Sequence, residues 1–262
     1  MLYEFIQKLG YNAISRSTRL YELISFVYEC FYRIFRPSSY SQATKTILTR
    51  QIYFTSVQIL PFFIFLCIVV GAALISATLS MLKQMGLLDY FGKVMVGLII
   101  TEIAPLMSVF LIALRSSSAI NTEIAVMKVN GELNTLQAFK INYLDYLVIP
   151  RILNGIISLT ILTALFALIT VCGGLVISFL FFGSTVDSYI NTMLASIDFY
   201  QISIMFFKSV AFGFFVTVIP IYSGLRASTE MTAIPISVLR GMVMVFDSII
   251  IIEGVALAAR FI

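Results

Sequence analysis

Histidine and tryptophan are both missing from this chain of 262 residues, and only 11% of its residues are charged. Without histidine there is no Ser-His-Asp triad, no histidine proton relay and almost no zinc or haem chemistry. The three cysteines, Cys30, Cys67 and Cys172, lie far apart and none belongs to a CxxC pair. In apolar surroundings such residues are small core fillers, so neither a metal nor a disulfide is assigned to them. The net charge is only +4 and is concentrated near the N-terminus. That suits an anionic membrane surface and not nucleic acid. A phosphate loop is missing too. The nearest approach, Gly86 to Gly92-Lys93-Val94, has one residue too many between its glycines, and valine stands where Ser or Thr would bind magnesium. If ATP drives this protein, another chain must hydrolyse it.

What is present is apolar surface. Hydrophobic residues make up 60% of the chain, with a mean hydropathy of +1.01. A soluble domain carries about 25% charged residues, and a fold of this size could not hide so much apolar surface from water. The chain reads as an all-α membrane protein of two regions: 1–44, an N-terminal amphipathic region, and 45–262, the membrane domain.

Charges at Glu4, Lys8, Arg16 and Arg19 break any apolar run before it reaches signal-peptide length. The periodicity is helical, with Leu20, Leu23, Ile24, Val27, Phe31, Ile34 and Phe35 on one face and Arg19, Glu22, Glu29, Arg33 and Arg36 on the other. Such a basic amphipathic helix lies flat in a membrane interface, or packs on the protein's own spans; the two placements are compatible. Pro37 and Ser38-Ser39 end it.

A crossing helix needs about 20 mostly apolar residues. Five such stretches follow, near 61–82, 94–114, 147–180, 200–222 and 236–259. The stretch from Ile152 to Val186 has no charge and could hold two tight spans. One long helix is preferred, because the segment after it carries Asp187 and Asp198 but no Lys or Arg, as an extracytoplasmic loop does. Of the seventeen basic residues, only Lys83, Lys93 and Arg260 fall outside and Lys208 falls within a span. The rest fall on the side of the N-terminus, which the positive-inside rule makes cytoplasmic. With tryptophan absent, tyrosine must supply the interfacial belt, and Tyr90, Tyr143, Tyr146, Tyr189, Tyr200 and Tyr222 all sit at span edges or in loops.

The connection from Arg115 to Arg151 is too polar to cross, yet it is patterned. Ile120, Ile124 and Met127 repeat at helical spacing beside Glu123 and Lys128, Gly131 breaks the helix, and Leu133, Leu136 and Lys140 begin another turn pair. A short helix held between spans two and three could push on both, although periodicity alone favours an ordinary surface helix. Ionisable residues inside spans are costly and so are functional candidates. Glu102 lies about two turns into the second span, with Pro105 just beyond. It is a candidate for function or for an ion pair with Lys208. Lys208, Asp247 and Glu253 read as interhelical pairs or interfacial groups. Gly254 and Ala258 form a small-xxx-small pair.

The run Arg115-Ser-Ser-Ser-Ala-Ile-Asn-Thr-Glu123-Ile-Ala-Val-Met127-Lys128-Val129, then Glu132-Leu-Asn-Thr-Leu136 and Tyr146-Leu-Val-Ile-Pro150-Arg151, resembles the signature of the MlaE/YrbE permease family. Glu102 with Pro105, Lys208-Ser209 and Phe212-Gly213 extend the likeness over roughly residues 45–260. Ser117 stands where the family usually has glycine, and Glu253 where it has aspartate. The resemblance implies the membrane subunit of an ABC-type transporter in the bacterial inner membrane. That subunit moves phospholipid or a related lipid to or from a periplasmic MCE-domain protein and so contributes to outer-membrane lipid homeostasis. It further implies a homodimer enclosing an apolar cavity open to the periplasm, and ATP held by a separate ABC ATPase subunit, with no cofactor in this chain. On this reading Leu74, Thr78, Met81 and Glu102 line the lipid cavity. Ile120, Glu123, Ile124, Met127 and Lys128 form the coupling helix gripped by the ATPase. A secondary transporter driven by an ion gradient should show internal repeats, and no convincing repeat is found. A scaffold without transport activity is the third class.

Overall fold

A computed structural model describes residues 18, 20–36, 42–183 and 185–261. The sequence expectations for 1–17, Arg19 and the Pro37 to Ser39 stop lie outside the described residues. All regular structure among the described residues is helical. Among the described residues, five helices are long and apolar enough to cross a membrane: Thr46–Met85, Leu88–Val129, Leu144–Phe181, Phe199–Leu225 and Ala233–Arg260.

The elements run in chain order. Helix α1 covers 20–34. Next come α2 (Gln42–Ile52), a π-helical turn (Tyr53–Val57) and α3 (Leu60–Met85), which together form the first span. Pro61 sits in the first turn of α3, where its missing N–H breaks nothing. The third span is the single helix α8 (Ile149–Phe182), as the charge pattern after it suggested. The segment expected as a loop after it contains a further helix, α9 (Val186–Ser196). Its N-cap Thr185 accepts from the amide of Ser188, and Tyr189 is drawn inward to donate to the carbonyl of Val171 at 2.8 Å. The fourth and fifth spans are α10 (Phe199–Leu225) and α11 (Ala233–Phe261).

The second span differs most from expectation. It does not stop near residue 114 and hand over to a separate short helix. It continues through α4 (Phe91–Val94), a long π-helical stretch (Met95–Ile103), α5 (Ala104–Ile112) and a π turn (Ala113–Ser117) into α6 (Ser118–Val129). The serine run does not break it because the hydroxyls bond backward within the helix. Ser118 Oγ donates to the carbonyl of Leu114 at 2.7 Å and Thr122 Oγ1 to that of Ser118 at 2.9 Å. The stop comes at Gly131, whose φ of +75° is left-handed, and α7 (Glu132–Ala138) follows.

Helix α10 is the centre of the bundle, buried almost continuously from Lys208 to Gly224. It packs on α5, α6, α8 and α11. Its contact with α8 is made at glycine. A Cβ on Gly213 would stand 2.6 Å from the Cα of Ile156, and one on Gly155 would stand 2.9 Å from the carbonyl oxygen of Gly213. The two backbones therefore approach as only small residues permit. Phe63, Ile75, Met95, Ile99, Phe166 and Phe212 fill the middle of the bundle. A second apolar cluster closes the end where α1 lies, with Cys30, Ile124, Leu147, Val148, Ile152, Val218 and Ile221.

Helix α1 has two apolar faces, where the sequence suggested one. Phe26, Val27, Cys30 and Ile34 pack into the end cluster, whereas Leu20, Tyr21, Ile24, Tyr28, Phe31, Tyr32 and Phe35 are exposed. Its charges fasten it to the bundle. Arg33 donates to both carboxylate oxygens of Asp145 at 3.0 Å, and Glu22 pairs with Arg226. Burial works against the charge on Arg33, but the hydrogen bonds to Asp145 and Glu29 outweigh it and hold its pKa above the ordinary arginine value.

Candidate functional site

At the end of the bundle opposite α1, three spans bring four ionisable side chains together. Glu102 comes from the π-helical stretch of the second span, Lys208 from α10, and Glu253 and Arg260 from α11. Residues 253 and 260 are seven apart, two helical turns, and so share one face. Lys208 pairs with Glu102 and reaches Glu253 at 2.8 Å. Arg260 reaches Glu102 at 3.3 Å and the carbonyl of Gly97 at 3.0 Å. The network balances two acids against two bases, which is how ionised groups persist in a low-dielectric interior.

Local backbone chemistry positions it. Pro105 has no N–H to offer the carbonyl of Thr101, four residues earlier, and Lys208 Nζ stands 3.5 Å from that oxygen. The lysine is almost wholly enclosed, its side chain 1% exposed, whereas Glu102 is 13% and Arg260 38% exposed. The network therefore has a closed root at Lys208 and an open rim at Glu102 and Arg260. It can present adjacent negative and positive groups to a polar headgroup at that rim. The ion pair with Lys208 that the sequence offered for Glu102 is present. Glu253 joins it across helices, while Asp247 lies on the exposed side of α11 outside the network.

Leu74, Thr78 and Met81 all stand on α3. Leu74 packs against the central core, Thr78 is half-buried and Met81 is exposed. The structure does not bring these three into the charge network with Glu102. Gly254 and Ala258 are on the exposed side of α11, with open space above Gly254.

Helix α6 is wedged against α10 and α11. Ile124 is fully buried, Ile120 and Met127 are half-buried, and Lys128 turns inward to donate to the carbonyl of Leu225 at the end of α10. Glu123 is exposed, yet it holds the buried Arg151 of α8 at 2.6 Å. On α6 itself Ala119, Thr122 and Glu123 are exposed, and Phe139 beyond α7 is exposed as well.

Three buried polar joints seat this region. Asn121 Nδ2 donates to the carbonyl of Ser237 at 3.2 Å, and Ser223 Oγ donates to the same oxygen at 2.8 Å. The third joint involves Ser117. Pro220, inside α10, cannot donate to the carbonyl of Val216 four residues earlier, and Ser117 Oγ supplies the missing donor at 2.7 Å. Sequence reading missed the roles of Arg260, Arg151 and Ser117, because each depends on a partner from another span. The seven-residue step from Glu253 to Arg260 and the proline inside the fourth span were the available signals.

A family model for the permease MlaE matches residues 48–259. The chain is 28% identical over 184 residues to the intermembrane phospholipid transport system permease protein MlaE of Haemophilus influenzae, covering 68% of this chain and 69% of that one. It is 24% identical over 226 residues to a probable ABC transporter permease protein of Rickettsia typhi, covering 86% and 85%. Against a probable ABC transporter permease protein of Synechocystis the identity is 32% over 127 residues, and the match spans 48% of each chain.

Proposed function

The chain belongs to the MlaE permease family, and on that premise we propose that it moves phospholipid or a related amphiphile between the bacterial inner membrane and a periplasmic MCE-domain protein. Two copies form the working permease, and a separate ABC ATPase supplies the energy. The N-terminus is cytoplasmic, and this transport contributes to outer-membrane lipid homeostasis. The observation that carries the reading is the family match over nearly the whole membrane domain, in a chain whose only glycine-lysine loop has the wrong spacing for a phosphate.

On this reading the charge network faces the periplasmic side. Its rim, Glu102 and Arg260, meets the lipid headgroup, and Leu74, Thr78 and Met81 of α3 extend an apolar wall for the chains. Helix α6 transmits the motor's movement. Because it continues from the second span without a break, a push on α6 acts along the helix that carries Glu102, 21 residues before Glu123 and about 30 Å along the axis.

The test is affinity purification in mild detergent, identifying the bound subunits and the extractable lipid. An ATPase, an MCE-domain protein and phospholipid are expected. Met127→Asp should abolish ATPase association with membrane insertion intact, but Met127 is half-buried against the end cluster, so its gel-filtration profile must also match that of the unmodified protein. Glu123→Lys should do the same, but it also removes the partner of Arg151, so its gel-filtration profile must be compared with that of Glu123→Gln. Vesicles that move lipid with this polypeptide alone, with no ATPase present, would overturn the proposal.

A further inference from the structure

A second feature lies on the α1 side of the membrane. Between the start of α3 and the second span runs an apolar groove of about 530 Å³. Its walls include Phe62 and Leu66 on one side and Met107 and Phe110 on the other, and its mouth is formed by Gln58 and Arg115. Residues 58–66 and 107–115 each cover eight steps of helix, so the groove is about 12 Å long. Phe62 is 59% and Phe110 37% exposed; the groove opens on the outer surface of the bundle, where acyl chains are the solvent.

The mouth is cationic. Arg115 Nη2 donates to Gln58 Oε1 at 3.1 Å, which spans the two helices and holds the guanidinium at the head of the groove. Among the described residues, no acidic side chain lines it. An apolar trough ending in a fixed guanidinium with no lining carboxylate complements one kind of molecule, an apolar chain carrying an anionic head. Arginine is suited to phosphate because its planar fork can donate two hydrogen bonds at once.

We propose that this groove seats an anionic phospholipid of the leaflet on the α1 side, with an acyl chain along Phe62, Leu66, Met107 and Phe110 and its phosphate on Arg115. The site is separate from the charge network. Arg115 is thirteen residues beyond Glu102 on the same continuous span, about 20 Å along the axis. Nor does it depend on transport, since a chain that moves nothing could still hold a lipid here. With a cytoplasmic N-terminus, the leaflet concerned is the one rich in anionic lipid.

The absence of tryptophan makes the test direct, because a single introduced indole reports without background. The Phe110→Trp protein is reconstituted in phosphatidylcholine vesicles containing an equal fraction of brominated-chain phosphatidylglycerol or brominated-chain phosphatidylcholine. The anionic lipid should occupy the groove about fivefold more strongly, the factor that about 1 kcal/mol from one cationic contact gives. Phe181→Trp, on the exposed surface of α8, should be quenched equally by both. Arg115→Gln should abolish the preference and Arg115→Lys should keep part of it. If Arg115→Gln fails to fold, 1 M salt serves the same purpose, because it shortens electrostatic range to about 3 Å and must collapse the preference. Equal quenching of Phe110→Trp by the two lipids with Arg115 intact overturns the proposal, as does a preference that survives high salt. Absence of quenching by either lipid also overturns it and assigns the groove to a second copy of the chain.

Discussion

Ser117→Ala tests whether the joint between the second and fourth spans works as its geometry indicates. The hydroxyl is fully buried and bonds at 2.7 Å to the Val216 carbonyl, the oxygen that Pro220 leaves without its helical amide. Removing one partner of a buried hydrogen bond costs about 1–3 kcal/mol. With the carbonyl stranded in the interior, we expect about 2 kcal/mol. In a Pro220→Ala background the amide of residue 220 can donate to Val216, and Ser117→Ala should then cost less than about 1 kcal/mol. The coupling between the two positions is therefore at least about 1 kcal/mol, in the upper part of the range found for interhelical hydrogen bonds in membranes, which average about 0.6 and reach about 1.7 kcal/mol. The assay is unfolding in mixed micelles of a mild detergent and increasing dodecyl sulfate, followed by helical circular dichroism for wild type, both single variants and the double variant. Equal costs for Ser117→Ala with and without Pro220 would refute the reasoning, since the serine would then not be serving the orphaned carbonyl.

Lys208→Met should destabilise by about 3–5 kcal/mol in the same assay, because it leaves two carboxylates facing each other without the cation between them. Glu253→Gln should cost far less, since Lys208 keeps Glu102. Gly213→Leu should eliminate the monodisperse gel-filtration peak, because its side chain would run into the backbone of α8 where nothing flexible can yield. Cys30 is buried and its thiol is pushed up to about 12, chiefly by burial and secondarily by the nearby charge of Glu29. At pH 8 its thiolate fraction is about 10⁻⁴, against about a quarter for an ordinary cysteine. Maleimide labelling at Cys30 should therefore be slow and rise about tenfold per pH unit. Arg33→Ala, which releases α1 from Asp145, should accelerate it at constant pH.

Composition and run length were enough to establish the solvent, the number of crossings and the family, because each depends on sums over 20 or more residues or on a contiguous motif. The uninterrupted apolar stretch and the acidic segment after it likewise carried the choice of one long third span. The tertiary structure decided the rest, for reasons of pairing and continuity. The second span reads as ending near residue 114 with a separate short helix beyond it, yet backward hydrogen bonds let the helix run on toward Gly131. Arg260 reads as an unpartnered charge beyond the last span, but its guanidinium reaches Glu102 of the second span. Helix α1 reads as having one apolar stripe, and the fold uses part of it as core and leaves the other part outside. A linear pattern records which residues are apolar or charged. Pro220 already marks in the sequence which carbonyl lacks its amide; which distant side chain supplies the donor is decided only when α10 is packed among its neighbours.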